Sequence, residues 1–152
     1  MVNFSDAYIE RCDKETENMI KVETGTFLTQ PLTYLKKNNN EFIYLESNWF
    51  EAIRVEAVSL EVDDVFGTYD VMLGLKLQKK FDKTLKEHLN TTLHGNEAKF
   101  DLMFSQDDGL WNLNFALNYV EGFKEDMTLN EAFQVIYQFL NNLVEAVNVG
   151  QI

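Results

Sequence analysis

The sequence predicts a single α+β domain over residues 1–152, in which a mainly antiparallel sheet packs against helices. Runs of alternating apolar and polar residues, typical of strands, follow one another between Phe42 and Tyr119 with mostly short turns between them. Three other segments place apolar residues three and four positions apart, which is typical of helices with one buried face. At 152 residues, 45% of them hydrophobic, the chain is long enough to bury one ordinary core.

The first forty residues begin with a predicted helix and continue into the least regular part of the chain. Ser5 is a suitable N-cap, and residues after it recur at helical spacing, so we expect a helix over residues 5–23 that ends before Gly25. The recurring positions are Ile9, Cys12, Thr16, Met19 and Ile20. Pro31 suits the first position of a short helix over residues 32–37, which a polar turn of three asparagines follows.

Three strands are predicted next. The first covers residues 42–46. The second covers residues 52–62, and because its apolar phase changes partway, we expect a β-bulge near Ala57. Residues 63–67 then form a turn, and residues 69–77 alternate regularly, as in a strand with one buried face.

A second helix and two further strands follow. The helix is predicted over residues 81–93, ended by Gly95, because its apolar residues lie four positions apart with charged residues between them. One strand begins at Phe100 and the other covers residues 111–119. Asp108-Gly109 lies between them and is a dipeptide typical of tight hairpin turns.

The last predicted helix begins at a capping box. In such a box the Thr128 hydroxyl accepts the backbone N–H of Glu131, whose carboxylate accepts the N–H of Thr128. The apolar stripe that follows, within residues 129–147, is wide for a helix covering one small sheet. We therefore expect part of it to contact a second copy of the chain in a homodimer, with the nearly uncharged Asn-rich face of strand 111–119 as another candidate for that contact.

In the order and size of these elements, from Ser5 to Val147, the chain resembles the type III secretion chaperone-like fold, which includes the bacterial sensory transduction regulators. This resemblance lies in the topology and not in a residue motif. It implies a small acidic homodimer that binds protein segments and has no catalytic residues to carry over. It does not imply a secretion system.

Charge is the main bias of the composition. The chain has 25 acidic and 13 basic residues, a net charge of −12, which repels nucleic-acid backbones and anionic membranes. We expect neither nucleic acid nor a membrane as a direct partner. In the simpler interpretation, the net negative charge keeps the protein soluble. In the alternative, the acidic surface binds a basic protein partner.

Cellular location is predicted from two features. Cys12 is the single cysteine, so no internal disulfide can form. No apolar leader opens the sequence, and no segment has the ~18 apolar residues of a membrane span. We therefore expect a cytoplasmic protein.

The sequence contains few residues that are arranged for catalysis or for metal binding. His88 and His94 are six positions apart and do not share a helix face, and the neighbours of Cys12 at helical spacing are apolar. The pairs Asp63-Asp64 and Asp107-Asp108 occupy predicted turns, where such residues are common. The glycines are scattered and form no phosphate-binding loop. We expect a protein with no catalytic residues, metal or cofactor.

A cluster of lysines is the least routine feature of this acidic chain. Lys76, Lys79, Lys80, Lys83 and Lys86 stand against only Asp82 and Glu87, a local charge of 5 − 2 = +3. Two of them lie at the predicted start of a helix, where the macrodipole disfavours cations. The simpler interpretation is a solvated outer face. In the alternative, Lys79, Lys80, Lys83 and Lys86 bind an acidic partner or the acidic face of a second copy.

Three hypotheses for function remain. The first is a non-enzymatic, chaperone- or regulator-like protein-interaction domain that binds a protein partner as a homodimer. The second is an inhibitor or immunity-type protein whose acidic surface occupies the basic cleft of a nucleic-acid enzyme, although the acids are spread evenly along the sequence. The third is a protein with a small-molecule pocket, which a deep cavity with converging polar groups would favour.

Overall fold

Seven strands and four α-helices make up the part of the chain, residues 2–94 and 100–150, that this computed structural model describes. The strands are β1 (Tyr8–Asp13), β2 (Met19–Glu23), β3 (Glu41–Glu46), β4 (Val58–Val62), β5 (Tyr69–Leu75), β6 (Phe100–Ser105) and β7 (Leu110–Ala116). The helices are α1 (Tyr34–Lys37), α2 (Asn48–Ala52), α3 (Asp82–Thr92) and α4 (Leu129–Gly150). Short 3-10 turns occupy Gly25–Thr29, Lys79–Phe81 and Leu117–Tyr119.

All seven strands join one antiparallel sheet in the order β2-β1-β3-β4-β5-β7-β6. One face of this sheet is buried beneath the helices. In β5, for example, Tyr69, Val71 and Leu75 are fully buried, and the Phe115 ring on β7 packs 4.8 Å from the Phe139 ring on α4. The predicted α+β fold class is confirmed. Among the described residues, no helix is both long enough and apolar enough to cross a membrane.

The predicted helix over residues 5–23 is wrong, because these residues form the β1–β2 hairpin. Its turn is closed by Asp13, whose carboxylate accepts the backbone N–H groups of Glu15 and Thr16, both at 2.9 Å. Two features explain the error. Ile9 and Cys12 are both buried although they lie on opposite faces of β1, and a β-bulge at Ile20 shifts the period-2 pattern in β2. The combined apolar spacing resembles that of a helix.

The predicted strand over residues 52–62 is also wrong in its first half. Residues 48–52 form α2, which begins where the Ser47 hydroxyl accepts the backbone N–H of Trp49 at 3.1 Å. Arg54 then adopts a left-handed backbone with φ of 67°. The change of phase near Ala57 therefore marks the start of β4 and not a bulge within a longer strand.

The other strands and the middle helix agree with their predictions to within a few residues. The predicted strand 69–77 ends at Leu75, and the predicted strand 111–119 ends at Ala116, before a 3-10 turn. The short helix predicted over residues 32–37 is confirmed in its second half, as α1. Gly109 takes the positive φ, 66°, that the hairpin turn requires. Gly95 lies outside the described residues.

The last helix begins at the predicted capping box. The Thr128 hydroxyl accepts the Glu131 N–H at 3.1 Å, and the Glu131 carboxylate accepts the Thr128 N–H at 3.0 Å. Every member of the predicted stripe is buried within a single chain: Leu129, Ala132, Phe133, Ile136, Phe139, Leu140, Leu143, Val144 and Val147. The stripe is wide because α4 packs against more than the sheet. Phe139 contacts Phe115 on β7, Phe133 contacts the Phe4 ring, and the helix also lies against α3.

Candidate functional site

The sheet face opposite the helices carries the candidate site, which we call the acidic face. Residues directly opposite one another on antiparallel strands share a face, so the register identifies its members. In the seven described strands, each charged side chain on this face is a carboxylate: Glu10 (β1), Glu46 (β3), Glu61 (β4), Asp70 (β5) and Asp101 (β6). Between them lie tyrosines, methionines and asparagines. Asn112 and Asn114 on β7 are exposed, so this face is open to solvent.

Two of these carboxylates lie directly opposite one another. Glu61 pairs with Asp70 across β4 and β5. Burial raises the pKa of both side chains, and nearby acids raise them further, whereas Lys14 lowers both. Like charges opposite one another destabilise a sheet. The free protein therefore holds an unfavourable charge pair that a bound cation would relieve.

Tyrosines and glutamates alternate on the neighbouring strands β1 and β3. Tyr8 lies opposite Glu46, and Tyr44 lies opposite Glu10. Each tyrosine hydroxyl donates to a glutamate two residues along its own strand, Tyr8 to Glu10 and Tyr44 to Glu46. The two rings meet edge to face at 6.5 Å, and burial followed by the Glu46 hydrogen bond raises the pKa of Tyr44. Carboxylates beside aromatic rings are the groups that bind lysine and arginine side chains.

A cleft of about 550 Å³ lies beside this pattern, between the acidic face and α2. Its charged lining is mostly acidic: Asp6, Glu46, Glu51 and Glu56, with Lys76 as the one cation among the lining residues described. Lys76 lies 3.2 Å from Glu56 and is therefore already paired. The cleft extends the negative surface beyond the strands.

Lys14 lies at one end of the acidic face and, like Lys76, already contacts groups of its own chain. Its ammonium donates to the backbone carbonyl of Asn39 at 3.2 Å and to that of Val62, and it lies 3.1 Å from the Asp64 carboxylate. It also lies 3.8 Å from Glu61. Lys14 thus joins three turns at this end of the sheet and neutralises only part of the local negative charge.

The predicted lysine cluster lies elsewhere, on and before α3 in the helical layer. Lys79 lies 6.0 Å from the Phe104 ring and Lys80 lies 5.3 Å from the Phe81 ring. Lys83 pairs with Glu87 at 3.9 Å, and Lys86 pairs with Asp82 at 2.9 Å. All four lysines are exposed and each has a local neighbour, as on a solvated helix face. Their role in binding a partner stays a prediction.

The residues considered for catalysis occupy separate places. Cys12 is 3% exposed, and burial raises the pKa of its thiol to about 11, so the thiol is protonated and unreactive at neutral pH. His88 lies on α3, where burial lowers its pKa, and His94 is exposed. Among the described residues, no three His, Cys, Asp or Glu side chains are grouped to hold a metal ion.

One sequence pattern on the acidic face is not visible in hydrophobic periodicity, because its defining side chains carry polar groups. The tripeptide Tyr-X-Glu occurs three times, and two of its occurrences, at residues 8–10 and 44–46, lie within strands. In a strand this spacing places the tyrosine and the glutamate on the same face. The register then brings the two tripeptides together.

Comparison of the chain with protein-family models, with curated proteins and with solved structures finds no match. The resemblance to the type III secretion chaperone-like fold stays a prediction.

Proposed function

We propose that the chain is a non-enzymatic protein-interaction domain whose acidic face binds a positively charged segment of a protein partner. One observation carries this proposal: the charged side chains on the open face of the described sheet are all carboxylates, distributed over five strands. The proposal includes a chaperone- or regulator-like role in the cytoplasm, where a reducing environment keeps a lone thiol such as Cys12 reduced.

Three physical features support binding of a basic segment. The opposed pair Glu61 and Asp70 loses its repulsion when a lysine or arginine of the partner lies between the two carboxylates. The rings of Tyr8 and Tyr44 offer cation–π contacts next to carboxylates that pair with the same cation. An open sheet face also accommodates an extended segment without rearrangement of the core.

A second candidate function, an inhibitor that occupies the basic cleft of a nucleic-acid enzyme, gains support from the same geometry. The even spacing of acids along the sequence weighed against it, because phosphate mimicry requires acids on one face. The register, however, gathers Glu10, Glu46, Glu61 and Asp70 on one face. The form of the partner separates the two functions: an inhibitor binds a folded enzyme and blocks its activity on nucleic acid, whereas a basic segment is also bound as an isolated peptide.

A defined peptide tests the acidic face. We expect a fluorescently labelled ten-residue peptide of alternating lysine and valine to bind, more weakly as salt rises, and its glutamate–valine counterpart not to bind. The double variant Glu10→Gln, Glu46→Gln should weaken binding at least tenfold, while each glutamine still accepts its tyrosine hydroxyl. The matched control is Glu87→Gln, Glu145→Gln, which makes the same change of net charge at exposed positions on α3 and α4. Equal loss in both variants would show attraction to net charge alone and contradict the proposal.

The natural partner, once isolated from the source cells, separates the acidic face from the lysine cluster. Charge reversal of Lys79, Lys80 and Lys83 should leave the purified complex intact if the acidic face is the binding surface. Loss of the complex on that reversal, with an unchanged thermal melt and with full binding by the Glu10→Gln, Glu46→Gln variant, would assign the function to the lysines. Destabilisation of the fold would identify the lysines as structural counter-charges.

A further inference from the structure

The outermost strand β2 is unusually apolar for an exposed edge. Met19, Ile20 and Val22 are 53%, 45% and 46% exposed. The strand pairs with β1 on one side, and the described residues supply no backbone hydrogen bond to its other side. An edge of this kind is a template for pairing with another strand.

We propose that two copies of the chain associate through β2, edge to edge and antiparallel, so that two seven-stranded sheets become one. This inference goes beyond the proposed function, because it concerns the edge of the sheet and does not depend on binding at the acidic face. It also differs from the interface expected from the sequence, since the stripe of α4 is buried within its own chain.

The charges of β2 select one register for this pairing. A two-fold axis perpendicular to the sheet places one residue opposite its own copy. An axis at Lys21 or at Glu23 would oppose like charges, Ile20 is the bulged position, and an axis at Met19, the first residue of β2, would pair no other residues of the strand with each other. An axis at Val22 instead opposes two valines and places Lys21 opposite Glu23 of the second copy, twice.

Glu23 is held in a defined position by an ion pair within its own chain. Its carboxylate accepts from Arg11 at 2.7 Å and its side chain is 17% exposed, so it is held in place at the strand. Lys21 is exposed. In the register centred on Val22, each Glu23 would lie between Arg11 of its own chain and Lys21 of the second copy.

The net charge opposes this association, and its effect gives the proposal a distinctive salt dependence. Two copies bring together 2 × (−12) = −24 charges. Salt screens this long-range repulsion of −12 against −12, whereas it leaves the apolar contact at Val22 and the backbone hydrogen bonds unchanged, and the two partly exposed Lys21–Glu23 pairs that it also screens contribute little. The dimer should therefore tighten as salt rises, whereas a dimer held by the lysine cluster against acids would weaken.

Sedimentation velocity on the full chain at 1–200 µM tests the association. We expect a concentration-dependent dimer that tightens from 20 mM to 500 mM salt. Val22→Lys should abolish it, because like charges then meet at the axis. Met103→Lys is the matched control on the opposite edge strand, where Met103 is 71% exposed, and should leave the dimer unchanged. A wild-type monomer at all concentrations and both salts, or a dimer that survives Val22→Lys, would overturn the proposal.

A cysteine variant tests the register itself. Val22→Cys should form a disulfide-linked dimer on mild oxidation, because self-opposed residues bring their two thiols within bonding distance. Met103→Cys is the control, and the buried Cys12 should not interfere in either variant. Crosslinking of Met103→Cys at the same rate would show random collision and overturn the assigned register. None of these measurements uses a basic partner, so their failure would leave the proposed function standing.

Discussion

Replacing Arg11 by methionine should destabilise the fold by about 2–3 kcal/mol, less than the ~3–5 kcal/mol typical of breaking a buried ion pair. The Arg11 guanidinium on β1 joins three elements: it lies 2.7 Å from Glu23 on β2 and 3.1 Å from Glu41 on β3, and it donates to the Tyr34 hydroxyl on α1 at 3.3 Å. Glu41 is 7% exposed, the one buried charged residue among those described.

The expected magnitude follows from what remains after the substitution. Glu41 would keep its hydrogen bond from the Tyr34 hydroxyl at 2.8 Å, and the Arg11 and Glu41 side chains are 18% and 9% exposed, so water reaches part of the pair. Both features reduce the cost of leaving the carboxylate without its cation. Methionine also retains most of the apolar stem of arginine, so little packing is lost.

Urea denaturation followed by circular dichroism measures this change, and a second substitution tests its cause. Adding Glu41→Gln to the Arg11→Met variant removes the uncompensated charge but keeps an acceptor for Tyr34. We therefore expect the double variant to lie within about 1 kcal/mol of the wild type, since neutral replacements of buried pairs are often tolerated. No recovery in the double variant, or a loss below about 0.5 kcal/mol in Arg11→Met, would refute the assignment of the cost to Glu41.

Three further substitutions test the fold and the acidic face by denaturant melts. Thr128→Ala should cost about 1 kcal/mol, the usual loss of an N-cap hydroxyl, and an unchanged midpoint would show that the capping box contributes nothing. Phe115→Ala should cost about 3–5 kcal/mol through lost burial and a cavity, and a near wild-type melt would place Phe115 outside the core. Asp70→Asn should stabilise the protein at pH 7 by up to ~1 kcal/mol, because it removes a partly buried charge that also lies opposite Glu61. Burial, the main cause, raises the pKa of Asp70, so the wild type loses stability as pH rises through that pKa and the difference should vanish in acid; a difference that persists below pH 3 would contradict this electrostatic cause.

The strands and helices that the sequence predicted correctly are those whose pattern is uninterrupted. In β5 the alternation runs from Tyr69 to Leu75 without a break, and α4 combines a capping box with a continuous stripe. The pattern failed where the backbone is irregular. The bulge at Ile20 and the left-handed Arg54 each shift the apolar phase, and a shifted strand pattern resembles a helix or a longer strand.

The acidic face could not be predicted, because its members are distant in sequence. Glu10, Tyr44 and Asp70 come to lie on one face only through the register of strands β1, β3, β4 and β5. The wrong prediction of a helix over residues 5–23 also meant that Tyr8 and Glu10 were not assigned to the sheet. The lysine cluster, in contrast, is a local run in the sequence, so the sequence alone showed that these charges lie together, but not which side chains they contact.

The largest error in the sequence prediction coincides with the edge that we propose as an interface. Hydrophobic periodicity assumes that apolar residues are buried within their own chain. Ile20 and Val22 break that assumption, since each is nearly half exposed in a single copy. Pairing through β2 would place Val22 beside its own copy, cover part of the apolar surface of this strand and satisfy the free backbone groups of the edge. Prediction from hydrophobic periodicity is expected to fail first at residues that contact a second copy, because those apolar residues stay exposed in a single copy.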